Sequence, residues 1–273
     1  MLDNNAPVGV FDSGVGGLTV AREIMRQIPE ERIVYFGDTA RVPYGSKSKD
    51  TVIRYSRQII RFLRTEHVKA IVIACNTASA HALETVQKES DIPIIGVINA
   101  GARTAVRATR NGKIGVIGTE GTVGSGIYTE VMKKLRQDIE VTGKSCPLFV
   151  PLVEEGLLHD SVTDEIASRY LSVLKSKYID TLVLGCTHYP LLRSTIGRLM
   201  GEDVTLVNPA YETALELKEL LKAQGLNREA DAPLTGEKYQ FFVSDLAEKF
   251  TDFATSILPS EVKETRKINI EEY

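Results

Sequence analysis

Two cysteines, Cys75 and Cys186, end aliphatic runs of nearly the same sequence, KAIVIAC and DTLVLGC. Such runs predict buried strands, so each thiol is expected where a strand gives way to a loop or helix. Ligands of open α/β sheets bind beyond the carboxyl ends of the strands, which predicts one cleft with a thiol on each wall. Opposed thiols suit inversion of a carbon stereocentre, because one removes a proton while the other delivers one to the opposite face.

Polar residues follow both thiols and differ between them. Asn76 and Thr77 follow the first, whereas Thr187 and His188 follow the second. These side chains can donate hydrogen bonds to an anionic ligand. Because each cysteine also precedes a predicted helix, the positive end of the helix is expected to lower the thiol pKa and favour thiolate. Cys146 has no comparable neighbours, and we interpret it as structural.

Further candidates lie in two loops. Asp12 and Ser13 end another predicted strand and open a glycine-rich turn, although Asp12 could equally cap the helix that follows. Tyr44 and Gly45 belong to a polar loop suited to a substrate wall, where Tyr44 could also be a plain loop anchor. The remaining histidines have no matching context and are interpreted as surface or packing residues. They are His67, His81 and His159.

The paired cysteines belong to a wider internal duplication. Three matched pairs of segments occur in the same order at an offset of about 110 positions. Valine- and isoleucine-rich strands are common to α/β proteins, but here the polar residues after each strand also match. The duplication therefore predicts two related halves that share a crevice. The pairs are 8–14 with 114–120, 69–75 with 180–186, and 94–100 with 204–210.

Helical patterns alternate with these strands, which predicts an α/β fold of two pseudo-symmetric domains with mostly parallel sheets flanked by helices. The active site is expected in the crevice between them. We assign residues 1–98 with 210–273 to the first domain, to which the C-terminal segment returns, and 99–209 to the second. The charged stretch 259–273 is expected to be a solvated tail. Helices are predicted at 18–28, 50–66, 78–89, 126–137, 161–177, 210–224 and 245–257.

Composition and charge limit the classes of function. The 273 residues are 43% hydrophobic and 25% charged, with a formal net charge of −3, so no basic field favours nucleic acid. No apolar run approaches the roughly 18 residues of a membrane helix. The first seven residues lack the basic and apolar regions of a secretory signal. We therefore expect a cytoplasmic protein with reduced cysteines.

Several motifs resemble those of the glutamate racemases, in the cofactor-independent aspartate/glutamate racemase superfamily. The resemblance spans about the first 210 residues and implies interconversion of L- and D-glutamate, which supplies D-glutamate for peptidoglycan synthesis. The motifs are Gly9–Gly17 (GVFDSGVGG), Asp38–Gly45 (DTARVPYG), Ala74–Ala78 (ACNTA), Pro151–Gly156 (PLVEEG) and Gly185–Pro190 (GCTHYP).

The resemblance also implies roles for individual residues. Cys75 and Cys186 would be the alternating proton donor and acceptor, with Asp12 assisting Cys75 and with Glu154 and His188 assisting Cys186. It implies no metal, no cofactor and, for many members, a homodimer. The implied substrate contacts are Asp12, Ser13, Tyr44, Gly45, Asn76, Thr77, Thr187 and His188, with Thr119 from the second half.

Other functions stay open on the residues alone. A related racemase or decarboxylase for aspartate or another acidic substrate shares paired strand-end cysteines. A hydrolase with a cysteine nucleophile needs only one essential thiol. Cys75, Cys186 and His188 are residue types that bind zinc, although their spacing is poor. Two halves also suit a solute-binding module without chemistry. Pyridoxal phosphate is not favoured, because no lysine occupies the strand ends of these motifs.

Overall fold

The chain forms two parallel sheets flanked by helices. The computed structural model describes residues 3–234 and 236–273, and within them ten strands are present. Met1, Leu2 and Thr235, which the sequence assigns to the first domain, lie outside the described residues. The strands are β1 Val8–Asp12, β2 Ile33–Gly37, β3 Ala70–Ile73, β4 Ile94–Gly96, β5 Lys113–Gly118, β6 Glu140–Ser145, β7 Thr181–Gly185, β8 Thr205–Val207, β9 Tyr239–Val243 and β10 Thr265–Lys267.

Helices connect nearly all the strands, as parallel pairing requires. Among the helices of residues 3–234 and 236–273, none is both long and apolar enough to cross a membrane. The helices are α1 Leu18–Gln27, α2 Lys49–Thr65, α3 Asn76–His81, α4 Leu83–Glu89, α5 Val97–Ala108, α6 Glu120–Gly124, α7 Ile127–Leu135, α8 Phe149–Glu154, α9 Ser161–Lys175, α10 Arg193–Met200, α11 Pro209–Ala223 and α12 Ala247–Ile257, with 3-10 turns at Tyr44–Ser46, Tyr189–Leu192 and Ile270–Glu272.

Four neighbouring strands of the larger sheet, β2-β1-β3-β4, repeat the strand order of the smaller sheet. The larger runs β10-β9-β2-β1-β3-β4 and the smaller runs β6-β5-β7-β8, with every pairing parallel. The strands of the three duplicated segments occupy equivalent places: β1 matches β5, β3 matches β7, and β4 matches β8. The predicted α/β fold of two related halves is confirmed.

Each sheet is covered on both faces, because successive side chains of a strand point to opposite sides. In β1, Val10 packs toward α1 and α11, whereas Phe11 packs toward α2. In the smaller sheet, Val116 faces α5 and α7, and Ile117 faces α8 and α9. The four apolar clusters leave the carboxyl ends of the strands as the polar edge of each sheet.

Two helices carry the chain between the sheets. α5 follows β4 of the larger sheet but packs on the smaller one through Ile98 and Ala102. α11 follows β8 of the smaller sheet and packs on the larger one through Ala214 and Leu217. The predicted boundaries at 98/99 and 209/210 fall in the first turns of these helices, and the exact division into domains stays a prediction.

The prediction of a solvated tail at 259–273 is wrong. β10 pairs with β9 and extends the larger sheet, and Ile270 is buried against the cluster that contains Phe62 and Phe242. Lys267, the last residue of β10, is exposed. An edge strand can hold its backbone in the sheet while its charged side chains stay in water, so charge content alone did not reveal it.

The buried end of the tail should contribute measurably to stability. Replacing Ile270 with Ala removes a large apolar side chain from a packed core, and we expect the free energy of unfolding to fall by about 3 kcal/mol. Urea denaturation followed by circular dichroism measures this. Lys263→Ala, in the same segment but exposed, is the matched control. Equal denaturation midpoints for both variants would contradict a structured tail.

Candidate active site

A cavity of about 380 Å³ lies between the carboxyl ends of the two sheets. Its walls come from loops after β1, β2 and β3 on one side and after β5, β6 and β7 on the other. Its residues are Ser13, Val42, Pro43, Tyr44, Gly45, Ser46, Cys75, Asn76, Thr77, Thr119, Glu120, Pro147, Val150, Pro151, Glu154, Cys186, Thr187 and His188. The sequence-predicted residues are therefore brought together, with Asp12 alone behind the wall.

Cys75 caps the N-terminus of α3 after the end of β3. Its Sγ accepts a hydrogen bond from Ala78 N at 3.4 Å and lies 3.7 Å from Ser13 Oγ. Burial, assisted by the nearby Asp12 charge, raises the pKa of the Cys75 thiol to about 12. The expected lowering of this pKa is wrong, because loss of solvation outweighs the effect of a short helix. Cys75 is a neutral thiol at neutral pH.

Cys186 begins a chain of three polar side chains. Its Sγ lies 3.8 Å from His188 Nδ1, and His188 Nε2 lies 3.1 Å from Glu154 Oε1. Burial would lower the pKa of His188, but its contacts with Cys186 and Glu154 raise it to about 10. His188 is therefore an imidazolium at neutral pH, and it places a positive charge beside the Cys186 sulfur.

Asp12 is buried behind the cavity wall at the end of β1. Its Oδ2 accepts a hydrogen bond from Gly14 N at 3.0 Å, and its Oδ1 accepts one from Thr187 Oγ1 at 3.5 Å. Burial raises the pKa of Asp12, and the charge of His188 opposes that rise. Asp12 thus joins the two halves, and its charge acts on Cys75 and on His188, while Ser13 beside it faces the cavity.

The loop after β2 supplies the wall that contains Tyr44 and Gly45. The Tyr44 hydroxyl donates to Asp38 rather than to the cavity, so its ring and backbone face the ligand space. Gly45 lies against Thr119 of the opposite wall, since a Cβ on Gly45 would be 2.6 Å from Thr119 Cβ. A glycine is therefore required where the two walls meet.

Hydroxyl and amide groups of the two halves contact one another at the cavity. Thr77 Oγ1 lies 2.8 Å from Thr119 Oγ1, and the Tyr128 hydroxyl on α7 donates to Asn76 Oδ1 at 2.8 Å. Because the Asn76 oxygen is occupied in this way, its NH₂ group is the part left to donate to a ligand. The orientation of Asn76 in one half is thus fixed by a residue of the other.

Comparison with known proteins agrees with this geometry. A family model described as Asp/Glu/Hydantoin racemase matches residues 10–216. A glutamate racemase of Geobacter metallireducens is 48% identical over 266 residues, which span 97% of both chains. This chain belongs to the glutamate racemase family. The resemblance inferred from the motifs is therefore confirmed.

Solved structures of the family superpose closely on this chain. A glutamate racemase isoform from Bacillus anthracis gives a TM-score of 0.92 at 41% identity, covering 97% of this chain and 98% of that one. The glutamate racemase of Francisella tularensis, solved in complex with D-glutamate, gives 0.91 at 38% identity, covering 99% and 100%. These two members of the family therefore share the fold of this chain.

The sequence patterns did not predict a role for Tyr128, or for Pro147 and Val150, which form an apolar part of the cavity wall. Pro147 and Val150 follow β6, a half-exposed edge strand whose polar sequence did not predict a strand. A strand assignment at 140–145 is the signal that points to them, because ligands bind beyond strand ends. Tyr128 has no comparable signal, since its contact with Asn76 is set by packing between the halves.

The remaining sequence candidates lie away from the cavity lining. Cys146 is buried in the core of the smaller sheet, and its carbonyl accepts a hydrogen bond from Tyr189 Oη at 2.8 Å. His67 and His159 are exposed. Over the part of the chain that the structure describes, no three His, Cys, Asp or Glu side chains are grouped so that they could hold a metal ion.

The hydrogen bond between Tyr128 and Asn76 should stabilise the joined halves. Tyr128→Phe leaves the buried Asn76 oxygen without its donor, and we expect the free energy of unfolding to fall by about 1–3 kcal/mol. Denaturant unfolding measures the change. Tyr178→Phe is the matched control, because the Tyr178 side chain is 78% exposed. An equal loss in both variants would contradict a specific role for the Tyr128 hydroxyl.

The two cavity thiols should differ in reactivity. Both are nearly equally buried, at 5% exposure for Cys75 and 7% for Cys186, so the charges beside each sulfur decide the rate. At pH 7.5 we expect iodoacetamide to alkylate Cys186 at least about tenfold faster than Cys75, because burial and Asp12 hold Cys75 as an unreactive thiol whereas the His188 imidazolium lies beside Cys186. Peptide mass spectrometry measures both sites, with Cys146 as an internal buried control.

The variant His188→Asn tests the cause of this difference. It removes the imidazolium beside Cys186, and we expect alkylation of Cys186 to slow while that of Cys75 is unchanged. Alkylation of Cys75 as fast as that of Cys186 in the unmodified chain would contradict the assigned charge states.

Proposed function

We propose that this chain interconverts L- and D-glutamate by two-base proton transfer between Cys75 and Cys186 at the α-carbon, without a cofactor. One observation carries the proposal: two thiols from two different sheets line one cavity, each with its own polar partners. A hydrolase or a binding module gives no reason for a second thiol opposite the first. Aspartate is not favoured as the substrate, because the highly similar relatives are glutamate racemases.

The charges beside the two thiols differ, and this difference assigns their roles in one direction of the reaction. With His188 protonated, Cys186 is the base that removes the α-proton on one face, and the neutral Cys75 thiol is the acid that donates its proton to the other. The product is the opposite enantiomer, with a thiol at Cys186 and a thiolate at Cys75. The reverse reaction begins from that state, so each sulfur is base in one direction and acid in the other.

The neighbours of each thiol suit these exchanged roles. The Asp12 charge and burial raise the pKa of Cys75, which makes its thiolate a stronger base. Each pKa unit by which a base approaches the acidity of the α-proton is worth about 1.4 kcal/mol. On the other side, the His188 ring lies beside Cys186 and contacts Glu154 through its second nitrogen. We assign Asp12 to Cys75 and the pair His188 and Glu154 to Cys186.

Neutral donors dominate the cavity and suit the carboxylates of glutamate. Of the described residues that line it, none is Lys or Arg. Donation by hydroxyls and amides binds a carboxylate and stabilises the negative charge that develops when the α-proton leaves. The acidic side chains of Glu154 and Glu120 suit the substrate ammonium group. We assign the donation to Ser13, Asn76, Thr77, Thr119, Thr187 and His188, with Tyr44 and Gly45 forming the wall.

The cellular role follows from the reaction. D-Glutamate is a building block of peptidoglycan, so we assign the chain to supply of that precursor in the cytoplasm. We further propose that the chain forms a homodimer. Each protomer would have two domains, one of residues 1–98 with 210–273 and the other of residues 99–209. Separation by size with light scattering tests the dimer directly.

Isotope exchange tests the two-base scheme. Incubated with L-glutamate in D₂O, the enzyme should form D-glutamate that carries deuterium at the α-carbon, while early recovered L-glutamate keeps hydrogen. We expect Cys75→Ser and Cys186→Ser each to lower the racemisation rate by at least about 1,000-fold, since each removes one of two required groups. Proton NMR and chiral chromatography follow both products.

Cys146→Ser is the control for this experiment, because Cys146 lies outside the cavity, and it should keep the unmodified rate. Full activity in either cavity-cysteine variant would refute the two-base scheme. Absence of deuterium uptake by the unmodified enzyme under reducing conditions would refute the racemase assignment itself.

A further inference from the structure

The loop that forms the Tyr44 wall is held from behind by the C-terminal segment. We propose that Asp38 is a positioning residue that fixes Tyr44 and Gly45 for substrate binding, and that Ser244 completes this role from outside the sequence motifs. The inference rests on the proposed function and adds to it a network of residues that do not touch the substrate. We call Asp38, Arg41, Tyr44 and Ser244 the Asp38 network.

Asp38 is a fully buried carboxylate at the end of β2. Arg41 Nε donates to its two oxygens at 3.0 and 2.8 Å, and the Tyr44 hydroxyl donates to Oδ2. Ser244 Oγ donates to Oδ1 at 2.9 Å. A buried charge is tolerated only when it is paired and hydrogen-bonded. All of these donors therefore have to stay in place together, and Tyr44 is one of them.

Ser244 connects this carboxylate to the returning C-terminal segment. Its hydroxyl donates to Asp38 and accepts from Ala40 N at 2.8 Å. Next to it, Asp245 N donates to Thr39 Oγ1 at 2.9 Å, and the Thr39 hydroxyl donates to the Asp245 carbonyl. Residues 38–40 are thus bonded along their length to Ser244 and Asp245, which directly follow β9 and do not line the cavity.

Arg41 extends the contact to the end of the chain. Its guanidinium lies 4.0 Å from the centre of the Tyr55 ring, and that ring lies 5.6 Å from the Tyr44 ring. Arg41 Nη1 donates to Gln58 Oε1 at 2.6 Å and to Glu271 Oε1 at 3.1 Å. Glu271 is 64% exposed on its side chain, so this outer ion pair is weak. The buried contacts carry the role.

Positioning of this kind acts on substrate binding rather than on proton transfer. Neither Asp38 nor Ser244 lines the cavity. If the network is broken, the Tyr44 loop occupies its binding geometry only part of the time, and the apparent affinity falls by that fraction. Once substrate is bound, the cysteines and their partners are unchanged. KM should therefore rise while kcat is kept.

Steady-state kinetics of L-glutamate racemisation tests the proposal. We expect Asp38→Asn to raise KM about 10- to 100-fold, corresponding to a loop that is competent about 1–10% of the time, with kcat within about threefold. Ser244→Ala keeps the carboxylate and should raise KM about 3- to 10-fold. Because both act through one carboxylate, the double variant should resemble Asp38→Asn alone rather than the product of the two effects.

Asp180→Asn is the matched control. Asp180 is also a buried carboxylate that accepts four hydrogen bonds, from Thr109, Arg110, Asn111 and Thr181, but it lies at the amino end of β7, away from the cavity. It should lower stability and leave KM unchanged.

The outcomes separate cleanly. Unchanged KM in the Asp38 and Ser244 variants, a loss confined to kcat, or an equal rise of KM in Asp180→Asn would overturn the positioning role. If Asp38→Asn does not fold, Ser244→Ala decides alone, because it removes a single neutral hydroxyl. Inactivity of the unmodified enzyme would speak against the proposed function and not against this network.

Discussion

The distance between the two sulfurs depends on how the two sheets are joined, because Cys75 and Cys186 belong to different sheets. Near the cavity, hydrogen bonds connect the two halves. Thr19 Oγ1 donates to the Thr187 carbonyl at 3.1 Å, and Tyr128 donates to Asn76 at 2.8 Å. A Cβ on Gly16 would lie 2.5 Å from His188 Nδ1, so the first glycine turn reaches into the second half only because it carries no side chain.

The duplicated halves keep one backbone plan and differ in chemistry. In the larger half, Cys75 is surrounded by uncharged donors and the buried Asp12, and it stays a thiol. In the smaller half, Cys186 faces an imidazolium that is held by Glu154. Two copies of one strand end thereby place their thiols in different electrostatic surroundings. A chiral carbon requires this kind of asymmetry, since its two faces present different groups to the two walls.

The sequence predicted those features that depend on local pattern. The buried strands at 70–73 and 181–185 are aliphatic and end at a cysteine, so both their type and the placement of the thiols followed directly. The predicted helix at 78–89 instead begins at Asn76 and is divided into α3 and α4. β6 and β10 escaped detection because both carry mostly polar side chains and are identified by their pairing with a neighbouring strand.

Other features depend on contacts between distant residues and have no local signal. The pKa of Cys75 follows from how deeply the folded chain buries it, which the favourable helix position does not reveal. Tyr128 and Ser244 reach the site from 52 and 206 positions away, at Asn76 and Asp38. Helices α5, α6, α8 and α10 were also not predicted; α6 and α8 are short, with 5 and 6 residues.

The two crossings between the sheets lie side by side. A Cβ on Gly101 of α5 would be only 2.8 Å from Pro209 Cγ at the start of α11, so the outgoing and returning chains touch where they pass. The two connections between the halves therefore lie together at one point of the fold. The chain thus leaves and re-enters the larger half at one place, through two connections that are in contact. Gly101 allows this close approach of α5 and α11, because it has no side chain.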